Sequence, residues 1–155
     1  MCDPAMLPTI DFTHHDFEAE ALVVRTDYSD DAAWRTVVDL LNQLDDNGFE
    51  VRTFLVDDRA FAGASPDDVL SAVAIEPALE VVFLADAATM TSDHPLLAVS
   101  ARSQELEDGD MALDREFRLT PPDVNLMHVN LAIGHMDFWE FAYHAARSAD
   151  RILRL

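Results

Sequence analysis

Four aspartates are the side chains of this chain best placed to do chemistry, because each comes at the end of an apolar segment that reads as a β-strand. They are Asp27, Asp57, Asp58 and Asp86, which follow the segments Ala21–Thr26, Val51–Val56 and Glu80–Ala85. In a parallel sheet the carboxyl ends of the strands share one edge, so we expect these carboxylates along a common rim. Carboxylates gathered in this way can bind Mg²⁺ or Ca²⁺, or shift one another's pKa and supply an acid–base pair.

The same aspartates also have a purely structural interpretation. A carboxylate after a strand often accepts hydrogen bonds from the next turn or caps the next helix. With 30 acidic residues in a chain of 155, many carboxylates are expected at such positions by composition alone. We therefore favour capping and no cofactor, and we keep Mg²⁺ or Ca²⁺ binding as the alternative.

Residues 134–141 hold the densest group of aromatic side chains. Aromatic and methionine side chains anchor many protein interfaces. The spacing of Phe138 and Phe141 predicts the buried face of a helix that Asp137 caps. That arrangement leaves Trp139 exposed as a candidate anchor for a partner.

His135 lies in the same segment and is a candidate polar group of that surface. Together with His128 it could bind a transition metal if the fold brings the two rings together, although nothing in their spacing requires it. We therefore assign His135 a binding role and leave the question of a metal open.

The absence of lysine argues against several classes of enzyme. All ten basic residues are arginine, whereas a P-loop, a Schiff-base enzyme and a kinase-type nucleotide site each need a lysine. The four glycines stand far apart, and no G-x-S-x-G or H-E-x-x-H motif occurs. These absences favour a protein without catalytic activity.

The formal net charge of −20 bears on possible partners. A field this negative repels the phosphate backbone, so we expect no binding of DNA or RNA. Such a field would attract a basic protein partner, but the acidity can also serve solubility alone, and from the composition we favour solubility over a dedicated basic partner. The sequence does not indicate the oligomeric state.

Several features favour a cytoplasmic protein with no membrane partner. The apolar segments fall well short of the roughly 20 residues that a membrane helix requires. The N-terminus lacks the basic start and apolar stretch of a signal peptide. Cys2 is the only cysteine, so no disulfide can form within the chain.

Strand and helix signals alternate along the sequence. Strands are predicted at 21–26, 51–56, 80–85, 95–101 and 116–119, and at 127–133 a strand is favoured over a helix. This pattern predicts an α/β fold with a mostly parallel, Rossmann-like or flavodoxin-like sheet and helices on its faces. We expect residues 1–20 to be a mobile lead-in and residues 21–155 to form a single α/β domain.

Five stretches of the chain resemble a family of small acidic proteins, frequent in actinobacteria, that is described only as a domain of unknown function. They are Val24–Trp34, Val56–Gly63, Phe83–Met90, His94–Leu97 and Asn130–Phe138. The family usually has asparagine at the position of His135, so a role for this side chain does not carry over from it. The resemblance implies that the strand-end aspartates are typical of the family, and it implies no activity, substrate or partner.

We expect a non-catalytic acidic module that binds a protein partner in a regulatory or immunity-type role. The candidate binding residues are Asp27, Asp57, Asp58, Asp86, His135 and Trp139. The alternative is a divalent-metal-dependent enzyme or sensor that uses the aspartates at the carboxyl ends of the strands. A third hypothesis, mimicry of nucleic acid, requires carboxylates spaced along one face.

Overall fold

The computed structural model describes residues 10, 20–42, 52–73, 81–91, 93–100, 116–124, 127, 138–149 and 152–153. Within them the strands are β1 (Glu20–Arg25), β2 (Arg52–Val56), β3 (Val81–Ala85), β4 (Leu96–Ser100), β5 (Glu116–Leu119) and β6 (Ile152–Leu153). The α-helices are α1 (Asp31–Leu41), α2 (Pro66–Ala72) and α3 (Phe138–Arg147), and short 3-10 helices occupy Arg59–Phe61, Ala87–Met90 and Pro121–Asp123. None of these helices has the length and apolar character needed to cross a membrane.

The prediction of a mostly parallel, Rossmann-like or flavodoxin-like sheet is wrong. The strands form one mixed sheet in the order β2-β1-β3-β4-β5-β6. β1 pairs in parallel with β2 and β3, and β5 with β6, but β4 runs antiparallel to both of its neighbours. A parallel pairing needs a crossover of about a dozen or more residues, usually a helix. The connection from β3 to β4 carries the 3-10 helix Ala87–Met90 instead, and β4 returns beside β3 in the opposite direction.

The sheet is buried on both faces, as the alternation along β1 shows. Ala21 and Val23 belong to a core cluster that also includes residues of α1 and α3, whereas Leu22 and Val24 belong to a cluster with residues of α2. All four side chains are fully buried. Burial on both faces explains why the strands read as continuous apolar runs in the sequence.

Two helices begin where the local sequence supplies a cap. The Asp30 carboxylate accepts a hydrogen bond from the Ala33 N–H at 3.0 Å and starts α1 directly after the loop that follows β1. Ser65 and Asp68 form a reciprocal capping box at the start of α2, with Pro66 at its first position. Each cap pairs backbone donors that the first helical turn leaves without a partner.

Two described residues outside these elements bear on the sequence predictions. Ile10, in the predicted lead-in, is buried and its N–H donates to the carbonyl of Ala72 at 2.8 Å beside a one-residue parallel bridge to Val73. Met127 is helical and buried, so the strand favoured at 127–133 is wrong at that residue. Residues 128–137 lie outside the described part of the chain.

Candidate functional site

A buried arginine ends β1. The side chain of Arg25 is 4% exposed, and its Nη2 donates to Asp31 Oδ1 at 2.7 Å. Its Nη1 lies 3.6 Å from Asp57 Oδ1, and its Nε donates to the backbone carbonyl of Asp27 at 2.9 Å. A buried charge is tolerated when it is paired and hydrogen-bonded. Arg25 therefore joins the end of β1, the start of α1 and the turn after β2.

Two aromatic rings pack against this guanidinium. The Arg25 Cζ atom is 4.2 Å from the centroid of the Tyr28 ring and 5.2 Å from that of Trp34. Arg59 also stands over the Tyr28 ring, at 5.2 Å. A cation over an aromatic face is attracted by the ring quadrupole, by about 0.5–2 kcal/mol according to its exposure. The aromatic faces in this region are thus already contacted by cations of the chain itself.

The turn after β2 brings Arg59 to this group. Asp58 caps the turn by accepting a backbone hydrogen bond at 2.9 Å. Gly63 then takes a positive φ of 78°, a conformation that residues with a Cβ adopt rarely. Its N–H donates to the carbonyl of Thr26 at 2.8 Å. This hydrogen bond holds the turn after β2 next to the end of β1, where Arg25 lies.

These side chains line an open cleft of about 620 Å³ at the carboxyl ends of β1 and β2, which we call the Arg25 cleft. Its lining residues are Arg25, Tyr28, Asp31, Trp34, Arg35, Asp57 and Arg59. The cleft therefore gathers three of the ten basic residues of a chain whose formal net charge is −20. Arginine is well suited to hydrogen-bond planar or tetrahedral oxyanions and to stack on aromatic rings.

The surroundings set the protonation states of two groups in the cleft. Burial raises the pKa of the Tyr28 phenol above its ordinary value, and the negative charge of Asp57 raises it further. The buried Tyr28 hydroxyl has no hydrogen-bond partner of ordinary geometry among the described residues, although hydrogen bonding with the Asp57 carboxylate is among the causes that raise its pKa. The hydrogen bond from Arg25 lowers the pKa of Asp31. At neutral pH Tyr28 is therefore a neutral phenol and Asp31 an anion.

The strand-end aspartates are engaged separately by local contacts. Asp27 accepts a hydrogen bond from the Ser29 N–H at 2.8 Å, Asp58 caps the turn after β2, and Asp57 faces Arg25. Of the four predicted residues, Asp57 is the one that lines the Arg25 cleft.

Asp86 belongs to a different group of contacts. Its carboxylate receives hydrogen bonds from both terminal nitrogens of Arg118, at 2.7 and 2.8 Å. It also caps the 3-10 helix Ala87–Met90 and accepts from the Thr89 hydroxyl at 3.2 Å. The capping interpretation thus describes what Asp86 does, and an arginine adds an ion pair to it.

A metal centre has no support in the described part of the chain. No group of three or more His, Cys, Asp or Glu side chains there is placed to hold a metal ion. His135 lies outside the described residues, and so does the side chain of Trp139, whose backbone is in α3. Their binding roles stay predictions. Phe141 of the same helix is 1% exposed, which confirms its predicted place in the core.

Sequence reasoning did not single out the arginines and the tyrosine of the cleft. A signal was nevertheless present, because Arg25 ends the segment Ala21–Arg25, whose other four residues are apolar. A charged side chain in a buried strand needs partners. The sequence offers Tyr28 and Asp31 within the next six positions, where the structure places two of the partners of Arg25.

The comparison with known proteins identifies the family and nothing finer. No curated protein and no solved structure matches the chain. The family described as Domain of unknown function (DUF6924) matches residues 20–154, a range that includes all six described strands and the whole lining of the Arg25 cleft. The resemblance to a family of unknown function is thereby confirmed, and this chain belongs to the DUF6924 family.

Proposed function

We propose that this domain is a non-catalytic protein-binding module that engages its partner through the Arg25 cleft. The observation that carries the proposal is the lining of that cleft, in which three arginines, a tyrosine and a tryptophan surround about 620 Å³. Arg, Tyr and Trp are the residue types that most often dominate the binding energy of protein interfaces. Arg35 and Arg59 are exposed to a partner and Tyr28 is partly so, whereas Arg25 and Trp34 are buried and hold the cleft in place. A regulatory or immunity-type role fits a small module with such a site.

Preorganisation of the cleft supports binding. Arg25 is held by hydrogen bonds to the Asp27 carbonyl and the Asp31 carboxylate, and Tyr28 and Trp34 pack on it. Side chains that are already fixed lose little conformational entropy when a partner arrives. More of the contact energy therefore contributes to affinity.

The protonation states in the cleft support a role without catalysis. A general acid or base works best when its pKa lies near the working pH. Burial moves the pKa of Tyr28 upward, and the hydrogen bond from Arg25 moves that of Asp31 downward, so both groups move away from neutrality. Such groups serve as a fixed hydrogen-bond donor and a fixed charge.

The partner that we propose is a basic protein. A net charge of −20 attracts cationic surfaces over distances beyond direct contact and speeds their encounter. Two carboxylates at the cleft contribute to this field where a partner can reach them, since Asp31 and Asp57 are 59% and 48% exposed. We place the complex in the cytoplasm, because a chain with Cys2 as its only cysteine needs no oxidising compartment.

A capture experiment with matched variants tests the proposal. The wild-type chain, Arg59→Glu and Arg147→Glu are immobilised, and proteins bound from a native lysate are identified and then purified. Both substitutions change the charge equally, but Arg59 lines the cleft whereas Arg147 lies on α3 and hydrogen-bonds Tyr143. We expect a basic partner whose Kd rises about tenfold or more with Arg59→Glu and changes little with Arg147→Glu.

Two outcomes contradict this function. Equal losses of affinity in both variants mean that overall charge, not the cleft, determines binding. Turnover in a broad hydrolase or phosphatase screen that Tyr28→Phe or Asp57→Asn abolishes means that the cleft is catalytic.

A further inference from the structure

We propose that the Arg25 cleft receives an oxyanion, a carboxylate or phosphate group of its ligand, on hydrogen-bond donors of Tyr28 and Arg25. This inference rests on the proposed function because it names the chemical group that the cleft binds. It concerns one subsite, and the overall charge of the partner can still be basic.

The first support is the buried guanidinium of Arg25, in which two nitrogens donate to close acceptors and the third has no acceptor at ordinary hydrogen-bond distance within the described part of the chain. Arg25 is 4% exposed, and its Nε and Nη2 donate at 2.9 and 2.7 Å to Asp27 and Asp31. Its Nη1 is 3.6 Å from the Asp57 carboxylate, which is longer than an ordinary N–H···O hydrogen bond. An oxygen of a ligand can therefore accept from Nη1 at a shorter distance than Asp57 does.

The second support is the buried Tyr28 hydroxyl. It has no hydrogen-bond partner of ordinary geometry among the described residues, although the Asp57 carboxylate is near enough to act on it as an acceptor. Buried polar groups are nearly always paired in folded proteins, and an unpaired one calls for an explanation. Because burial and the charge of Asp57 raise the pKa of this phenol, Tyr28 keeps its proton and can donate it in a hydrogen bond to an anion.

The third support is that the cleft is poorly suited to a cation. Arg25 stands over the rings of Tyr28 and Trp34, and Arg59 stands over Tyr28. Guanidinium groups of the protein thus occupy the positions from which the aromatic rings would attract a ligand cation. With Arg35 also in the lining, three arginines outnumber the two carboxylates of Asp31 and Asp57, so the charge of the lining itself favours an anion over a cation.

Asp57 would compete with the ligand for Nη1 of Arg25, so substitutions of Asp57 and of Arg59 should change the affinity in opposite directions. Its carboxylate is 48% exposed and lies at the Nη1 atom that the ligand would use. Asp57→Asn removes both the repulsion of an anion and the competing charge, so it should strengthen binding. Arg59→Gln removes a positive charge from the lining and should weaken it.

The test is a titration of the purified chain by NMR or calorimetry with inorganic phosphate and, separately, with N-acetylglycine. Chloride is the only other anion in the solution. The ionic strength is held constant, because binding of an ion to a strongly charged chain varies with it. We expect saturable binding of at least one probe, weakened about fivefold by Arg59→Gln and tightened about fivefold by Asp57→Asn. Circular dichroism of each variant checks that it is folded.

Matched controls separate the cleft from overall charge. Asp39→Asn on the exposed side of α1 makes the same change of charge as Asp57→Asn away from the cleft lining. Arg147→Gln on α3 makes the same change as Arg59→Gln, and both controls should leave the Kd within about twofold. Binding of phosphate alone identifies a phosphorylated ligand, and binding of N-acetylglycine alone identifies a carboxylate. No saturable binding of either probe by the wild type and Asp57→Asn, or equal effects in the controls, overturns the inference.

The two proposals fail separately. If a purified partner depends on Arg59 while neither probe binds, the module function stands and the oxyanion subsite is wrong. If the probes bind with the expected signature but no partner depends on Arg59, the subsite stands and the protein-binding function is wrong.

Discussion

Arg118 and Asp86 form a bidentate ion pair in which Nη1 and Nη2 of the guanidinium donate to the two carboxylate oxygens at 2.7 and 2.8 Å. Asp86 directly follows β3 and Arg118 lies on β5, so the pair spans the intervening strand β4. The two side chains are 27% and 28% exposed. Solvent therefore screens the pair only in part, and the contact ties three strands of the sheet together.

Asp86→Asn should lower the free energy of unfolding by about 2 kcal/mol, because charge-assisted hydrogen bonds are lost and Arg118 keeps its charge without a counter-ion. Urea unfolding followed by circular dichroism measures the change. Asp39→Asn on the exposed side of α1 makes the same change of charge and should stay within about 0.5 kcal/mol of the wild type. Equal stabilities of the two variants would show that the ion pair contributes nothing.

Tyr28 should remain protonated to a higher pH than an ordinary tyrosine, whose pKa is about 10. Tyr143→Phe leaves Tyr28 as the single tyrosine, and ultraviolet absorbance then reports its ionisation alone. Asp57→Asn in that background should lower the pKa of Tyr28 because a nearby negative charge is removed. The pKa should still exceed the ordinary value, since burial is the larger cause of the shift.

The raised pKa of Tyr28 also predicts how stability varies with pH. The unfolded chain releases the tyrosine proton near its ordinary pKa of about 10, before the folded chain does. Stability attributable to Tyr28 is thus intact below that pH and is lost as the pH rises toward the higher pKa of the folded state. Tyr28→Phe should weaken this alkaline loss, and an unchanged profile would place Tyr28 in an ordinary environment.

Phe141→Ala should cost about 3–5 kcal/mol of stability, because it opens a cavity where a side chain is 1% exposed. The control is Tyr143→Ala in the same helix. Tyr143 is 50% exposed and contacts Arg147, so its loss should cost no more than about 1 kcal/mol. Thermal and urea unfolding check both values, and similar costs for the two variants would contradict the core position of Phe141.

The predicted exposure of Trp139 has its own test. If Trp139 is an exposed anchor, Trp139→Ala should change stability by less than about 1 kcal/mol and weaken the binding of any partner that uses α3. Its fluorescence should also be quenched readily by a soluble quencher, measured in a Trp34→Phe background. Destabilisation as large as that of Phe141→Ala would show that Trp139 belongs to the core.

Mg²⁺ and Ca²⁺ should raise the Tm no more than NaCl does at the same ionic strength. Asp27, Asp58 and Asp86 already accept hydrogen bonds from the chain, and any salt relieves the self-repulsion of a charge of −20. Differential scanning fluorimetry measures the shifts. A rise specific to a divalent cation, abolished by Asp57→Asn or Asp86→Asn, would restore the metal-dependent alternative.

The positions of β1 to β5 could be predicted from the sequence, but the short strand β6 (Ile152–Leu153) and the direction of β4 were not. Apolar runs bounded by turn residues locate a buried strand whichever way it points, and Pro95–Ala101 is such a run around the observed Leu96–Ser100. The direction depends on the connection. The short segment from Asp86 to Pro95 is the signal that a crossover helix is lacking, and it was available in the sequence.

The candidate site was likewise predictable only where a local sequence pattern marks a residue. Asp57 was found because carboxylates after strands are conspicuous, and it does line the cleft. Arg59 comes to Tyr28 from the turn after β2, where the Gly63 N–H donates to the carbonyl of Thr26. Such a contact joins residues distant in sequence through backbone geometry, which no local spacing reveals.

The antiparallel setting of β4 also bears on the order in which the chain folds. Leu84 pairs with Leu97 and Val81 with Ser100. The strands β3 and β4 therefore pair when a short loop closes, whereas the chain passes through α1 between β1 and β2. Short loops cost less entropy to close, and local contacts form sooner. We therefore expect the β3–β4 hairpin to be the nucleus of folding, so that Val99→Ala slows refolding while substitutions in the edge strand β2 mainly accelerate unfolding.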